Sequence, residues 1–268
     1  MAAQAAAVKA EYLDVARARA LPGLRLVLTA GLPGPWGEAA KGVFHAKGIP
    51  FARVAQQGGA DNDALYAWTG HRNAPVAVYD DEPPRTGWSE ILWLAERLRP
   101  EPALVPADPA ERWLCFGLSH ELMGEGGFGW CRRLMLFQKS AGEDGAPLPA
   151  MRPLLERMFQ QYGYSAEAAR RAPARAAQIL RLLSEQLAAQ RAQGHAYLMG
   201  AQLCALDIYW AAMAGIVQPL PAEQCPMPEG MRAVYGDLAP ELLRALDPAL
   251  LAHRDRIYEK HLGLPIDL

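Results

Sequence analysis

The stretch A-P-V-A-V-Y-D-D-E-P-P-R-T-G-W-S-E, residues 74–90, sets a strand, a turn and the start of a helix in immediate succession. A-P-V-A-V-Y-D-D at 74–81 is β-prone, D-E-P-P cannot continue a strand, and the run from Ser89 to Leu98 returns to helical spacing. Its opening proline matters because an X-Pro bond is the only peptide for which the cis form is not prohibitive. Any other residue would cost roughly 2.5–4 kcal/mol. Ala74-Pro75 therefore either starts an edge strand in trans or, in cis, turns the preceding backbone outward.

Working outward, L-R-L-V-L-T-A at 24–30 reads as a first strand that ends in the turn-forming string G-L-P-G-P. Trp36 to Lys47 has helix-compatible spacing (Ala40, Val43, Phe44) and stops at Gly48, with Gly34 as N-cap and Pro35 at the first helical position. I-P-F-A-R-V then supplies a second strand, giving β-α-β before the strand at 74. The segment R-P-E-P-A-L-V-P-A-D-P, 99–109, packs prolines too densely for a helix or a central strand. Beyond it the spans 111–122, 130–139, 150–161, 174–192, 204–217 and 248–261 carry apolar residues three or four apart, as in Leu180, Leu183 and Leu187. The expected class is α/β plus all-α. Its divisions are an N-terminal extension, 1–22, helical or frayed; an α/β domain, 23–99; a linker, 100–110; and an all-helical C-terminal domain, 111–268.

Composition narrows the function. A net charge of −2 from 27 basic and 29 acidic residues leaves no polyelectrolyte face for nucleic acid or anionic lipid. Cys115, Cys131, Cys204 and Cys225 form no C-x-x-C pair and suit buried free thiols in a reducing cytoplasm. No apolar run approaches the length of a bilayer span, and Lys9, Glu11 and Asp14 interrupt the alanine-rich start, so no secretory signal is read there. The histidines lack metal-ligand spacing, with His253 and His261 too far apart for one ligating face. G-E-G-G-F-G at 124–129 is not a phosphate loop and reads as a break between helices.

With this order of elements, Y-L-M-G-A-Q-L-C-A-L-D-I-Y at 197–209 resembles a motif of the cytosolic glutathione transferases: Gly, a Ser or Thr four residues on, and Asp three after that. Its physical sense is a capping box at a buried helix start. Asp207 fills the acid's place, while Cys204 at the N-cap is a weak acceptor, worth roughly 0.5–2 kcal/mol less than Ser. The resemblance implies a thioredoxin-like N-terminal domain that binds glutathione, followed by the family's helical domain. It further implies a homodimer, a small apolar electrophile as acceptor, and no metal.

Carried over by residue, the resemblance makes Pro75 the family's cis-proline, with Ala74 beside glutathione's cysteinyl backbone. Trp88 and Ser89 stand at the γ-glutamyl end, although Trp88 holds the place of an acid and Ser89 alternatively serves as a helix cap. His71 and Arg72 are candidates for the glycyl carboxylate. Trp113, Phe116, His120 and Trp130 line either an acceptor pocket or plain core.

The family's thiolate-activating Ser or Cys falls on Gly34, before Pro35, and its tyrosine position falls near Ala30; neither has a side-chain donor. A free thiol with a pKa of about 8.5 is only a few per cent ionised at neutral pH. The helix dipole contributes about 0.3–1 kcal/mol, short of the 1.36 needed for one pKa unit. Thr29 and Trp36 are the nearest donors that could replace the missing group. Two readings follow: a transferase relying on proximity, or a catalytically silent fold that binds a ligand or a protein. Isomerase, dehalogenase or ether-cleaving chemistry on the same scaffold is a third.

Overall fold

A computed structural model describes residues 11–141 and 152–268. In chain order it contains α1 (Val15–Arg19), β1 (Leu24–Thr29), α2 (Pro35–Ala46), β2 (Ala52–Gln56), α3 (Asp63–Thr69), β3 (Val76–Tyr79) and α4 (Trp88–Leu98). After the proline-rich stretch come α5 (Pro109–Met123), α6 (Phe128–Lys139), α7 (Arg152–Gln161), α8 (Ala166–Ala192), α9 (Ala205–Met213), α10 (Glu229–Gly236), α11 (Pro240–Ala245) and α12 (Pro248–Ile257).

The strands form one sheet in the order β2-β1-β3, with β2 parallel and β3 antiparallel to β1. Both faces are covered, which is why L-R-L-V-L in β1 is an unbroken buried run rather than an alternating one. Leu24, Leu26 and Leu28 join Val43 and Phe44 of α2 and Ile91 of α4 in the main core. Val27, Val54, Val76 and Val78 face the other way, onto Ala18 of α1 and Leu65 of α3. A further pairing survives only as a bridge in which Ala77 and Arg85 exchange backbone hydrogen bonds of 2.9 and 2.8 Å.

One sequence expectation is narrowed and two need correction. Residues 11–20 take the helical rather than the frayed alternative: Leu13 bridges Val54 on the outer side of β2, and α1 follows, capped by Asp14, which accepts from the Arg17 amide at 2.8 Å. Leu13, Val15 and Ala18 thereby close the valine face of the sheet, while residues 1–10 lie outside the described set. The polar stretch after β2 hides α3, whose N-cap Asn62 makes no side-chain capping bond and so leaves little sequence signal. Helix α8 begins at Ala166 rather than 174 and runs through Pro173, with Ser165 accepting from the Ala168 amide at 3.1 Å. The expected helix at 150–161 is described only from residue 152.

Helix α9 is the keel of the helical half. It is buried on every side, from Leu206 through Tyr209 and Trp210 to Met213, as expected for a helix that is apolar all round. Helix α2 packs directly onto it: a Cβ on Gly42 would lie 2.7 Å from the Ile208 side chain, so the approach requires glycine. Behind α2, the buried Lys47 ammonium donates to Glu96 at 2.7 Å and to the Pro102 and Pro100 carbonyls at 2.7 and 3.3 Å. These bonds tie α2 and α4 to the start of the proline-rich stretch.

Candidate functional site

The site forms where β1 ends and α2 begins. Gly34 is the N-cap of α2 and Pro35 its first residue, so no side chain caps the helix. The amides of Trp36 and Gly37 take no partner among the described residues. They sit on the wall of a cavity of about 280 Å3, which the sheet half lines with Leu28, Thr29, Pro35, Trp36 and Ala74. The opposite wall comes from one face of α6 (Gly129, Arg133, Leu136, Phe137), with Met158 and Tyr162 from and just after α7, and Tyr235 of α10. Gly129 permits this closeness, since a Cβ there would meet the Trp36 ring at 2.9 Å and the Met213 sulfur at 2.8 Å.

The Ala74-Pro75 peptide is cis. The N–H and C=O of Ala74 have no hydrogen-bond partner among the described residues. Ala74 and Thr29 also line a second cavity of about 170 Å3, toward Gln56, Arg72 and Arg157. Arg72 donates to Asp63 at 2.6 Å and lies over the Tyr66 ring, while His71 is exposed outside both cavities. On the far side of Trp36, Pro75, Thr86 and Trp88 enclose a cleft of only about 20 Å3. There Gly87, not Ser89, is the N-cap of α4, and Glu90 accepts from the Gly87 and Thr86 amides at 2.9 and 3.2 Å. The Ser89 hydroxyl has no partner among the described residues.

Both candidate thiol donors are committed elsewhere. The Trp36 indole N–H donates to the Met123 carbonyl at 2.9 Å, and because that nitrogen carries a single proton its assignment as a sulfur donor is corrected to a packing role. The Thr29 hydroxyl donates to Gln56 Oε1 at 2.8 Å, although a hydroxyl can rotate. Burial sets the protonation of the surrounding groups: it raises the Tyr12, Tyr235 and Glu38 pKa values and lowers that of Arg133. Glu38 is bridged to Lys41 at 2.9 Å.

The expected acceptor wall is also corrected. None of Trp113, Phe116, His120 and Trp130 lines the cavity. Trp113 is 81% exposed, His120 points to solvent, and Phe116 stacks on Trp93 and packs against Trp88. Trp130 makes an edge contact with Tyr162 behind the wall. Trp113, Phe116 and His120 lie on α5, and Trp130 on a different face of α6 from the one that meets the cavity; the glycine and arginine spaced i, i+4 at 129 and 133 are the available signal on α6.

No family model matches the chain, and no curated protein matches it. Solved structures do. The β-etherase LigF of Sphingobium sp. strain SYK-6 superposes with a TM-score of 0.60 at 20% identity, over 89% of this chain and 96% of that one. A glutathione S-transferase of Methylobacterium radiotolerans in complex with glutathione sulfonate gives 0.60 at 18% identity, over 88% and 91%. The rice transferase OsGSTU1 in complex with glutathione gives 0.58 at 17%, over 91% and 93%. The chain has the glutathione transferase fold.

Within the transferase fold, the 197–209 motif caps α9 in an altered way. Asp207 is fully buried and accepts from the amides of Leu198 at 2.8 Å and Cys204 at 3.0 Å and from His253 Nε2 at 2.7 Å. The Cys204 thiol donates to Asp207 at 3.1 Å instead of accepting from the first-turn amides. Asp207 thus holds the helix start, and sulfur at the N-cap serves only to fill space and donate. No described helix is long and apolar enough to cross a membrane.

Proposed function

We propose that the protein binds glutathione across the end of β1 and the start of α2 and joins it, through its sulfur, to a small apolar electrophile held in the 280 Å3 cavity, the thiol losing its proton and the electrophile its leaving group. The observation that carries this reading is the unpaired main chain of Ala74, flanking both cavities. Buried or half-buried backbone groups are nearly always paired, so these await a peptide-like ligand. Solved neighbours bound to glutathione and glutathione sulfonate support the choice of peptide. The free Ser89 hydroxyl suits the γ-glutamyl end and Arg72 the glycyl end, although the cleft of Pro75 and Trp88 has little room until a side chain moves.

Bound glutathione would supply a thiol whose ionised form is the nucleophile. The chain's own part is positional: the Trp36 and Gly37 amides at the helix N-terminus favour negative charge, the cavity walls exclude water, and the Thr29 hydroxyl, rotated from Gln56, is the remaining hydroxyl donor. Residues 23–99 would hold the peptide and 111–268 the acceptor, with 100–110 as linker and the whole in the cytoplasm. Trp113, with Trp93 and Leu114 also exposed, makes an apolar patch suited to the homodimer implied by the fold family.

The commitment of both donors favours a second reading, a silent glutathione-binding protein. Retention on immobilised glutathione combined with turnover of a neutral aryl halide separates them. Retention with turnover that Thr29→Val lowers supports the transferase; retention without turnover selects the silent protein. Failure to retain removes glutathione from the account.

A further inference from the structure

Two consecutive arginines on α6 are treated very differently by the fold. Arg132 is fully buried and satisfied by the protein: Nε donates to the Ile216 carbonyl at 3.0 Å and Nη2 to the Tyr235 carbonyl at 3.1 Å. Arg133 is only half-buried, and none of its five N–H donors meets an acceptor among the described residues. Its guanidinium carbon lies 4.0 Å from the Tyr162 ring centroid, 4.1 Å from that of Trp36 and 5.4 Å from that of Trp130. Rings attract a cation through their faces but accept no in-plane N–H bonds. The planar edge of the fork therefore remains available, at the wall of the cavity.

No Arg133 nitrogen is sealed from solvent, so the fork faces the open cavity with water as its alternative to a ligand. Among the described residues the one carboxylate on the cavity wall, Glu38, is already bridged to Lys41 at 2.9 Å. The remaining walls near Arg133 are apolar or aromatic: Leu28, Leu136, Phe137 and Met158 among them. We propose that Arg133 is the specificity residue for an aromatic carboxylate, gripped at its two oxygens by the guanidinium fork while its ring lies against the apolar wall. A planar fork matches a carboxylate bidentately, which an ammonium cannot do. The acceptor role of such a compound rests on the glutathione reading above; the anion site itself does not.

The test separates the two. Calorimetric titration of the full chain, without glutathione, compares 4-nitrobenzoate with the isosteric neutral 4-nitrobenzamide. The benzoate should bind about ten- to a hundredfold more tightly, the range for a hydrogen bond to a charged group. Arg133→Met should erase that preference while leaving the benzamide unchanged, and Arg133→Lys should restore only part of it. Equal binding of the two compounds by the wild-type chain, a measurement that needs no variant to fold, overturns the proposal. So does a preference that survives Arg133→Met. A parallel retention assay on immobilised glutathione reports on the other reading: Arg133-dependent benzoate binding without retention upholds the anion site and discards the transferase. Retention with turnover of a neutral aryl halide, but no benzoate preference, does the reverse.

Discussion

The indole N–H of Trp36 donates to the main-chain carbonyl of Met123 across 2.9 Å, joining the first turn of α2 to the last residue of α5. This bond closes the floor between the large cavity and the cleft of Pro75 and Trp88, because Trp36 lines both.

Trp36→Phe should keep the ring against Arg133 but strand the Met123 carbonyl. The expected loss is about 1–3 kcal/mol, the desolvation cost of an unpaired buried acceptor. A lowered urea midpoint with an unchanged slope checks it, and an unchanged midpoint would show that the bond carries no net stability.

Lys47 offers a paired test. Lys47→Met leaves the largely buried Glu96 without its cation and should cost about 3–5 kcal/mol. Adding Glu96→Leu should recover most of this, but not all, because Glu96 also accepts from the Leu104 amide at 2.9 Å. A double-mutant cycle in chemical denaturation reads the coupling; additive effects would contradict the clasp.

The four free cysteines are all buried. Burial pushes the Cys131 thiol up to about 11 and raises those of Cys204 and Cys225, whereas the neighbouring Cys204 side chain holds Cys115 below the ordinary thiol value. The native protein should therefore react slowly with a disulfide reagent at neutral pH, Cys115 first, and all four thiols should appear on denaturation. Rapid native labelling of Cys131 would contradict this.

His261 hydrogen-bonds the Tyr197 hydroxyl at 3.0 Å, and burial, aided by Arg256, holds its pKa below the usual histidine value. A depressed folded pKa means the unfolded chain binds the proton more readily, so the stabilisation is present above pH 6.5 and is lost as pH falls through the folded value. Stability should decline on acidification from pH 7 to 5, with a shallower decline in His261→Gln. An imidazole titration by NMR with a midpoint at or above 6.5 would remove the cause.

The elements of the sheet half were readable because each had a local cause. Consecutive apolar residues made β1, Gly34-Pro35 and Gly48 bounded α2, and Ala74-Pro75 opened β3. The long amphipathic helices were equally legible, whereas α1 and α3 were not. Leu13 and Val15 look like part of an alanine-rich tail until the valine face of the sheet stands beside them. At the functional site the failures have one origin: Trp113, Phe116 and His120 share helical spacing with core residues, and periodicity cannot say which helix face meets a cavity.

By itself the sequence determined the fold class and the start of α2, since each depends on residue type within a few positions along the chain. Tertiary structure alone decided that Trp36 spends its proton on a carbonyl 87 residues away, that Arg132 finds acceptors, and that Arg133 does not. Hydrogen-bond satisfaction is a property of what packing brings within about 3 Å, and no local pattern encodes it.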